Sequence, residues 1–235
     1  MGIPAYQYPG GDLWRELELL PPGSLVVLDP ADGPGEAPDP TYVSAILPVR
    51  RRGVGLFGYV TTGYGRRTAA EMIGEVTRYE QWYQPGGVFL DQTPPACTAN
   101  AEIEATLEHA RSRGLALAIN PGQPDIDPED VRASDHVVNF EGPLTTYRRT
   151  RFPSWTAEFD SDKFWHLVYE VDAQSLGATL ALTARRRAGT VFVTDSTMPN
   201  PWDTVPTYWS EELRLVANGG SGPRGWRSRG PVSGS

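Results

Sequence analysis

The chain has 235 residues, among them 25 glycines and 22 prolines, which predicts many short elements and excludes a helical bundle or coiled coil. Its formal net charge is −8, so we expect neither nucleic acid nor an anionic membrane surface as a partner. A single cysteine, Cys97, excludes an intrachain disulfide and a cysteine-based zinc cluster. No apolar run approaches the length of a transmembrane helix.

Apolar runs separated by turn signals predict eight strands that alternate with helices or loops. The predicted strands cover residues 3–8, 24–28, 54–61, 87–91, 115–120, 136–140, 164–171 and 189–194. The predicted helices cover residues 12–20, 41–52, 69–82, 99–113, 173–187 and 208–217, and segment 143–162 is interpreted as a short helix and a loop. Residues 1–217 would form one domain, followed by a disordered tail rich in Gly, Ser and Arg over 218–235.

Strands that are apolar on both faces and joined by helical crossovers predict a parallel sheet, and therefore an α/β protein. Eight such units in a chain of this length fit a single (β/α)8 TIM barrel. An open doubly wound sheet is the alternative. No GxGxxG motif follows a strand, so a dinucleotide cofactor has no support.

Functional groups of a (β/α)8 barrel follow the C-terminal ends of its strands. At these ends the sequence places hydroxyl, amide and carboxyl groups from Tyr8, Asp29, Thr61 with Tyr64, Asp91 with Gln92, Asn120, Glu141, Glu170 with Asp172, and Asp195. Because side chains alternate along a strand, Asp91, Asn120 and Glu141 are expected to converge over the barrel mouth. Polar side chains at strand ends also commonly cap the next helix or turn, which is the alternative for Asp29 and Asp195 and also for Asp91 and Glu141.

Two carboxyl groups facing each other are what glycoside hydrolysis requires, one protonated as the acid and one ionised. We therefore predict Asp91 and Glu141 as the catalytic residues. The predicted substrate-binding residues are Tyr8, Asp29, Thr61, Tyr64, Gln92, Asn120 and Asp195. No HExxH motif or histidine pair with metal-ligand spacing occurs, and no GxSxG motif occurs. We accordingly expect no metal, no cofactor and no α/β-hydrolase triad.

Six short motifs, in order along the chain, resemble the spherulin 4-like proteins (spherulation-specific family 4). They are DPADGPGEAPDPTY at 29–42, GYVTTGYGRR at 58–67, YEQWY at 79–83, GVFLD at 87–91, NPG at 120–122 and DHVVNFE at 135–141. The resemblance covers roughly residues 3–195. It implies a TIM-barrel enzyme similar to glycoside hydrolase family 135, which includes enzymes that cleave internal α-1,4 linkages of N-acetylgalactosamine in galactosaminogalactan.

The resemblance also implies which residues act. The family uses an Asp-Glu pair after the fourth strand and a Glu after a later strand; Asp91 matches the first acid and Glu141 the last. Gln92 stands where the family has the middle acid, and an amide cannot exchange a catalytic proton at neutral pH. Three hypotheses follow: the pair Asp91 and Glu141 suffices, the 2-acetamido group of the substrate is the nucleophile, or the barrel binds a glycan without cleaving it.

The expected partner is a polysaccharide or oligosaccharide, and the expected state is a monomer. No signal peptide precedes the first predicted strand. The chain as written is thus expected in the cytoplasm, or outside the cell if a leader is removed. A cytoplasmic location would favour a further alternative, an enzyme that acts on a small sugar or a nucleotide-sugar.

Overall fold

The structure is a computed structural model that describes residues 1–218. The predicted disordered tail, 218–235, lies outside the described residues apart from Asn218. Described secondary structure begins at Gly2 and ends at Asn218.

Within residues 1–218, eight strands alternate with eight α-helices. The strands are β1 (Gly2–Ala5), β2 (Leu25–Leu28), β3 (Gly55–Thr61), β4 (Gly87–Asp91), β5 (Ala116–Asn120), β6 (His136–Pro143), β7 (Phe164–Tyr169) and β8 (Thr190–Val193). All neighbouring strands pair in parallel and in sequence order. Strands β1 and β8 lie in contact, so the sheet nearly closes. The predicted (β/α)8 barrel is thereby confirmed.

Each strand is followed by a helix. They are α1 (Asp12–Leu17), α2 (Pro40–Arg51), α3 (Ala69–Trp82), α4 (Ala101–Ser112), α5 (Pro128–Ala133), α6 (Leu144–Arg149), α7 (Leu176–Arg185) and α8 (Trp209–Asn218). The bounds of α3 are those predicted, because Thr68 and Glu71 form a capping box at its start. Helix α5 was not predicted, although Asp127 caps it and Pro128 is its first residue. Within residues 1–218, no helix is both long enough and apolar enough to cross a bilayer.

Large side chains fill the interior of the barrel below its C-terminal rim. The rings of Phe89 and Trp165 pack edge to face with centroids 5.6 Å apart, and both residues are fully buried. A glycine at position 87 makes room for the ring of Phe57, because a Cβ atom there would lie 2.5 Å from that ring. The interior is therefore a packed core rather than a pore, and the functional groups of such a barrel lie at its rim.

Strand β6 contains an irregularity next to the predicted acid. Its pairing with β7 shifts register between Val138 and Phe140, so the simple alternation counted along residues 137–141 does not hold. Phe140 packs outside the barrel against Tyr147. Glu141 nevertheless reaches the barrel mouth, as its hydrogen bonds show below. Such bulges commonly re-aim a side chain beside an active site.

Candidate active site

One amide group joins the two predicted catalytic acids. Asp91 and Asn120 end neighbouring strands β4 and β5 and pair directly in the ladder. The Nδ2 atom of Asn120 donates to Oδ1 of Asp91 at 2.8 Å and to Oε2 of Glu141 at 2.7 Å. These two distances place the two carboxylate oxygens no more than 5.5 Å apart. Asn120 is only 7% exposed, and both of its amide hydrogens are used by the acids.

The other oxygen of each carboxyl group has its own donor. The hydroxyl group of Tyr59, on β3, donates to Oδ2 of Asp91 at 2.9 Å. Nε1 of Trp202 donates to Oε1 of Glu141 at 3.1 Å. Trp202 lies between β8 and α8 and is buried against the ring of Tyr169, with centroids 5.9 Å apart. Both acids are therefore held in orientation by hydrogen bonds to each oxygen.

Burial raises the pKa of both acids, and their neighbours modify this effect differently. For Asp91, hydrogen bonds from Tyr59, the backbone of Gln92 and Asn120 oppose the rise in pKa. For Glu141, hydrogen bonds from Asn120 and Trp202 oppose the rise, whereas the negative charge of Asp91 adds to it. Of two acids that share a pocket, the one with more donors is better suited to remain ionised and the other to hold the proton.

Tyr6, immediately after β1, adds a second phenol to this pocket. Its ring contacts that of Tyr59 edge to face at 5.7 Å. Burial raises its pKa well above the usual value, and the charges of Asp91 and Glu141 raise it further. Tyr6 therefore stays neutral near physiological pH.

Asp29, a predicted substrate-binding residue, lies within electrostatic reach of Asp91. Burial raises the pKa of Asp29 to about 6, and the charges of Asp32 and Asp91 contribute, although a hydrogen bond from the backbone of Gly33 opposes them. The backbone N–H of Gly33 donates to Oδ1 of Asp29 at 2.8 Å, so Asp29 also caps the turn that follows β2, as the alternative interpretation of this residue predicted. A third carboxylate so close to the pair gives this part of the rim an acidic character.

Thr61, Gln92 and Tyr64 form one bonded group beside Asp91. The hydroxyl group of Thr61 donates to Oε1 of Gln92 at 3.1 Å. With its oxygen used in this way, Gln92 offers its NH₂ group as a donor. The backbone N–H of Tyr64 donates to the carbonyl oxygen of Gln92 at 3.0 Å. The structure thus brings these three predicted residues next to the pair.

Tyr8 and Asp195 are placed differently from the other predicted residues. Tyr8 is 55% exposed, and its hydroxyl group donates to Oδ2 of Asp39 at 2.9 Å. Asp195 accepts hydrogen bonds from the backbone N–H of Thr207, at 3.2 Å, and from its hydroxyl group. Asp195 thereby holds the segment just before α8, and a role of either residue with a ligand stays a prediction.

Three residues of the pocket were not predicted: Tyr6, Tyr59 and Trp202. Tyr59 could have been found, because it lies two residues before Thr61 and so shares its face of β3. Tyr6 was counted within a strand expected to run to residue 8, but β1 ends at Ala5. Trp202 is 61 residues from its partner Glu141, and no local pattern marks it.

Among the residues that the structure describes, no group of three or more His, Cys, Asp or Glu side chains is arranged to hold a metal ion. The donors around the pair come instead from an amide, a phenol and an indole.

The model of spherulation-specific family 4 matches residues 1–216. The chain belongs to this family. The resemblance predicted from six motifs is thereby confirmed. The chain is 25% identical over 232 residues to Spherulin-4 of Physarum polycephalum, covering 91% of this chain and 69% of that protein.

The fold has a close parallel among solved structures. Sph3 of Aspergillus clavatus, solved in complex with GalNAc, superposes with a TM-score of 0.78. The match covers 92% of this chain and 96% of that one, at 23% sequence identity. It supports the barrel architecture over almost its whole length.

Proposed function

We propose that this family member is a glycoside hydrolase that acts on an aminosugar polysaccharide. In its most specific form, the proposed activity is cleavage of internal α-1,4 bonds between N-acetylgalactosamine units. One observation carries the proposal: the buried amide of Asn120 holds Oδ1 of Asp91 and Oε2 of Glu141 no more than 5.5 Å apart. The similar Sph3 structure, which holds GalNAc, supports the class of sugar.

The spacing favours a retaining mechanism. Carboxyl groups lie about 5–5.5 Å apart in retaining glycosidases and about 6.5–9.5 Å apart in inverting ones, where a water molecule must fit between. In the retaining reaction Glu141 gives its proton to the glycosidic oxygen while Asp91 attacks the anomeric carbon and forms a glycosyl-enzyme. Glu141, now ionised, takes a proton from water, and that water displaces Asp91 from the sugar.

The assignment of these roles follows from the surroundings of each acid. The nucleophile must be ionised, and Asp91 accepts from Tyr59, Asn120 and the backbone of Gln92. The acid must carry a proton, and burial raises the pKa of Glu141, an effect to which the charge of Asp91 adds.

The proposed activity is tested by hydrolysis of oligosaccharides of α-1,4-linked N-acetylgalactosamine. Wild type, Asp91→Asn and Glu141→Gln are compared by the release of new reducing ends. Each substitution is expected to lower kcat by about 10³-fold or more, because each removes a group that acts in the transition state. Equal rates of hydrolysis by all three proteins would contradict the proposal. NMR of the first product formed should show retention at the anomeric carbon.

The acetamido group of the substrate is the alternative nucleophile, and it can attack only from the face opposite the leaving oxygen. In an α-linked N-acetylgalactosamine unit both groups lie on the same face of the ring, so this alternative requires a β-linked substrate. In that case Asp91 would orient the acetamido group, and the NH₂ group of Gln92 would be a further donor. Cleavage of a β-linked N-acetylgalactosamine oligosaccharide that is lost when its acetyl groups are removed supports this mechanism, whereas cleavage of the α-linked oligosaccharide alone contradicts it.

A non-catalytic carbohydrate-binding barrel is the second candidate function, and Gln92 favours it. If this second function is right, the wild type binds the glycan but releases no new reducing ends. The variant Gln92→Glu, which supplies a third acid beside Asp91, should then cleave a glycan that the wild type does not cleave. If the wild type cleaves, and Gln92→Glu changes kcat by less than about tenfold, the pair of acids suffices.

A further inference from the structure

Tyr64 has a backbone conformation that does not suit a tyrosine. It lies three residues beyond Thr61, the residue that pairs with Asp91 in the ladder, and its φ is 57°. The left-handed region costs a bulky residue about 1–2 kcal/mol, whereas glycine or asparagine adopts it readily. Backbone preference alone therefore does not explain a tyrosine at this position.

Packing of the ring does not explain the presence of a tyrosine at position 64 either. The side chain is 63% exposed, more than any other large hydrophobic side chain among residues 1–218. Its described ring contact is with the guanidinium group of Arg66, 5.9 Å from the centroid. A cation–π contact at an exposed site contributes only about 0.5–1 kcal/mol. The fold thus gains little from the ring and leaves it open to solvent.

The loop that carries Tyr64 is nonetheless firmly held. The backbone N–H of Tyr64 and the hydroxyl group of Thr62 both donate to the carbonyl oxygen of Gln92, at 3.0 and 2.7 Å. On the other side, Nδ2 of Asn100 donates to the carbonyl oxygen of Gly65 at 3.1 Å. An exposed aromatic ring on a fixed support can bind a ligand with little loss of conformational entropy.

Non-glycine residues with a left-handed backbone conformation occur both after helices and after strands. Gln84 and Arg187 follow helices α3 and α7, where a left-handed residue is an ordinary way to end a helix. Tyr64, Gln92 and Glu170 instead follow strands β3, β4 and β7 at the rim that carries the acids. Backbone strain of this second kind tends to gather at functional sites.

We propose that Tyr64 is a stacking platform for one sugar ring of the polysaccharide, at a subsite beside that of the cleaved bond. The inference rests on the proposed function and deepens it. Tyr64 is bonded through its backbone to Gln92, the residue after Asp91, so its exposed ring stands on the loop next to the acids, where a glycan that continues along the rim would meet it. A subsite outside the cleaved unit favours substrates of several units, as internal cleavage requires.

The test compares long and short oligosaccharides of α-1,4-linked N-acetylgalactosamine in three variants. Tyr64→Asn suits the backbone but removes the ring, and Tyr64→Trp keeps an aromatic plane. Leu19→Asn is the matched control, because Leu19 is 59% exposed and lies between α1 and β2, at the opposite end of the barrel. For each protein, kcat/KM is measured on a trimer and on an octamer, together with Tm.

For Tyr64→Asn we expect the octamer-to-trimer ratio of kcat/KM to fall roughly tenfold, with Tm no lower than that of the wild type. Tyr64→Trp and Leu19→Asn should keep the wild-type ratio. An unchanged ratio in Tyr64→Asn overturns the platform while leaving the proposed hydrolase intact. A fall in Tm with Tyr64→Asn also overturns it, because the ring would then serve the fold. A wild type that cleaves neither substrate contradicts the proposed function itself.

Discussion

Replacing Asn120 with alanine removes the amide that joins the two acids. The substitution deletes both hydrogen bonds donated by Nδ2, at 2.8 and 2.7 Å, and leaves the backbone of β5 unchanged. Asn120 was predicted to bind substrate. That role stays a prediction, but both of its amide hydrogens are given to the acids, so we expect it to position Asp91 and Glu141.

The size of the effect follows from these contacts. Hydrogen bonds to charged groups contribute about 1.5–3 kcal/mol each, but Asp91 keeps its bond from Tyr59 and water can enter the vacated space. We therefore expect a net loss of about 1.4 kcal/mol for each ionised acid, which raises each pKa by about one unit. Both limbs of the bell-shaped pH profile of kcat/KM should then move to higher pH by about one unit. Loss of the fixed spacing should lower kcat about 10²-fold.

The assay is the pH dependence of hydrolysis by the wild type, Asn120→Ala and a control, Asn139→Ala. Asn139 is a buried asparagine on the neighbouring strand β6, and its amide atoms have no hydrogen-bond partner among residues 1–218. The control tests whether loss of a buried amide alone changes the profile, and we expect both of its limbs to stay in place. If the limbs of Asn120→Ala also stay in place, or if only KM rises, Asn120 binds substrate rather than positioning the acids.

The remaining predictions concern single contacts. Tyr59→Phe removes one donor to Asp91 and should raise its pKa, so that only the acid limb of the pH profile of kcat/KM moves to higher pH. Trp202→Phe removes a donor to the other acid and should move only the alkaline limb upward; movement of the acid limb instead would reverse the assigned roles. Gly87→Ala places a methyl group 2.5 Å from the ring of Phe57 and should lower the free energy of unfolding, measured with urea, by about 1–3 kcal/mol.

The strands were predictable because each is a short apolar run between strong turn signals. Strand β4 has the predicted bounds, and it ends at Asp91 because the apolar run does. Helix α3 was equally clear, since a threonine cap and a helical apolar pattern coincide at its start. Helix α5 escaped prediction because it has only six residues, too few to show a period.

The convergence of Asp91, Asn120 and Glu141 was predictable in part for the right reason. Asp91 and Asn120 end their strands in register, and strand ends of a parallel barrel meet at one rim. Glu141 was placed by an alternation that its own strand does not keep, since the register shifts between Val138 and Phe140. The donors from Tyr59 and Trp202 depend on contacts between distant segments, which no local pattern encodes.

The hydrogen bonds around Asp91 and Glu141 bear on whether an acid is needed at position 92. The four oxygens of Asp91 and Glu141 already have donors in Tyr59, Asn120 and Trp202. A third acid at position 92 would add negative charge to a pocket whose burial already raises both pKa values, so it would need a further donor or a further proton. An amide there adds a donor without adding charge. The family acid that Gln92 replaces is therefore not needed to orient the pair, and the comparison of the wild type with Gln92→Glu tests whether the pair alone cleaves the glycan.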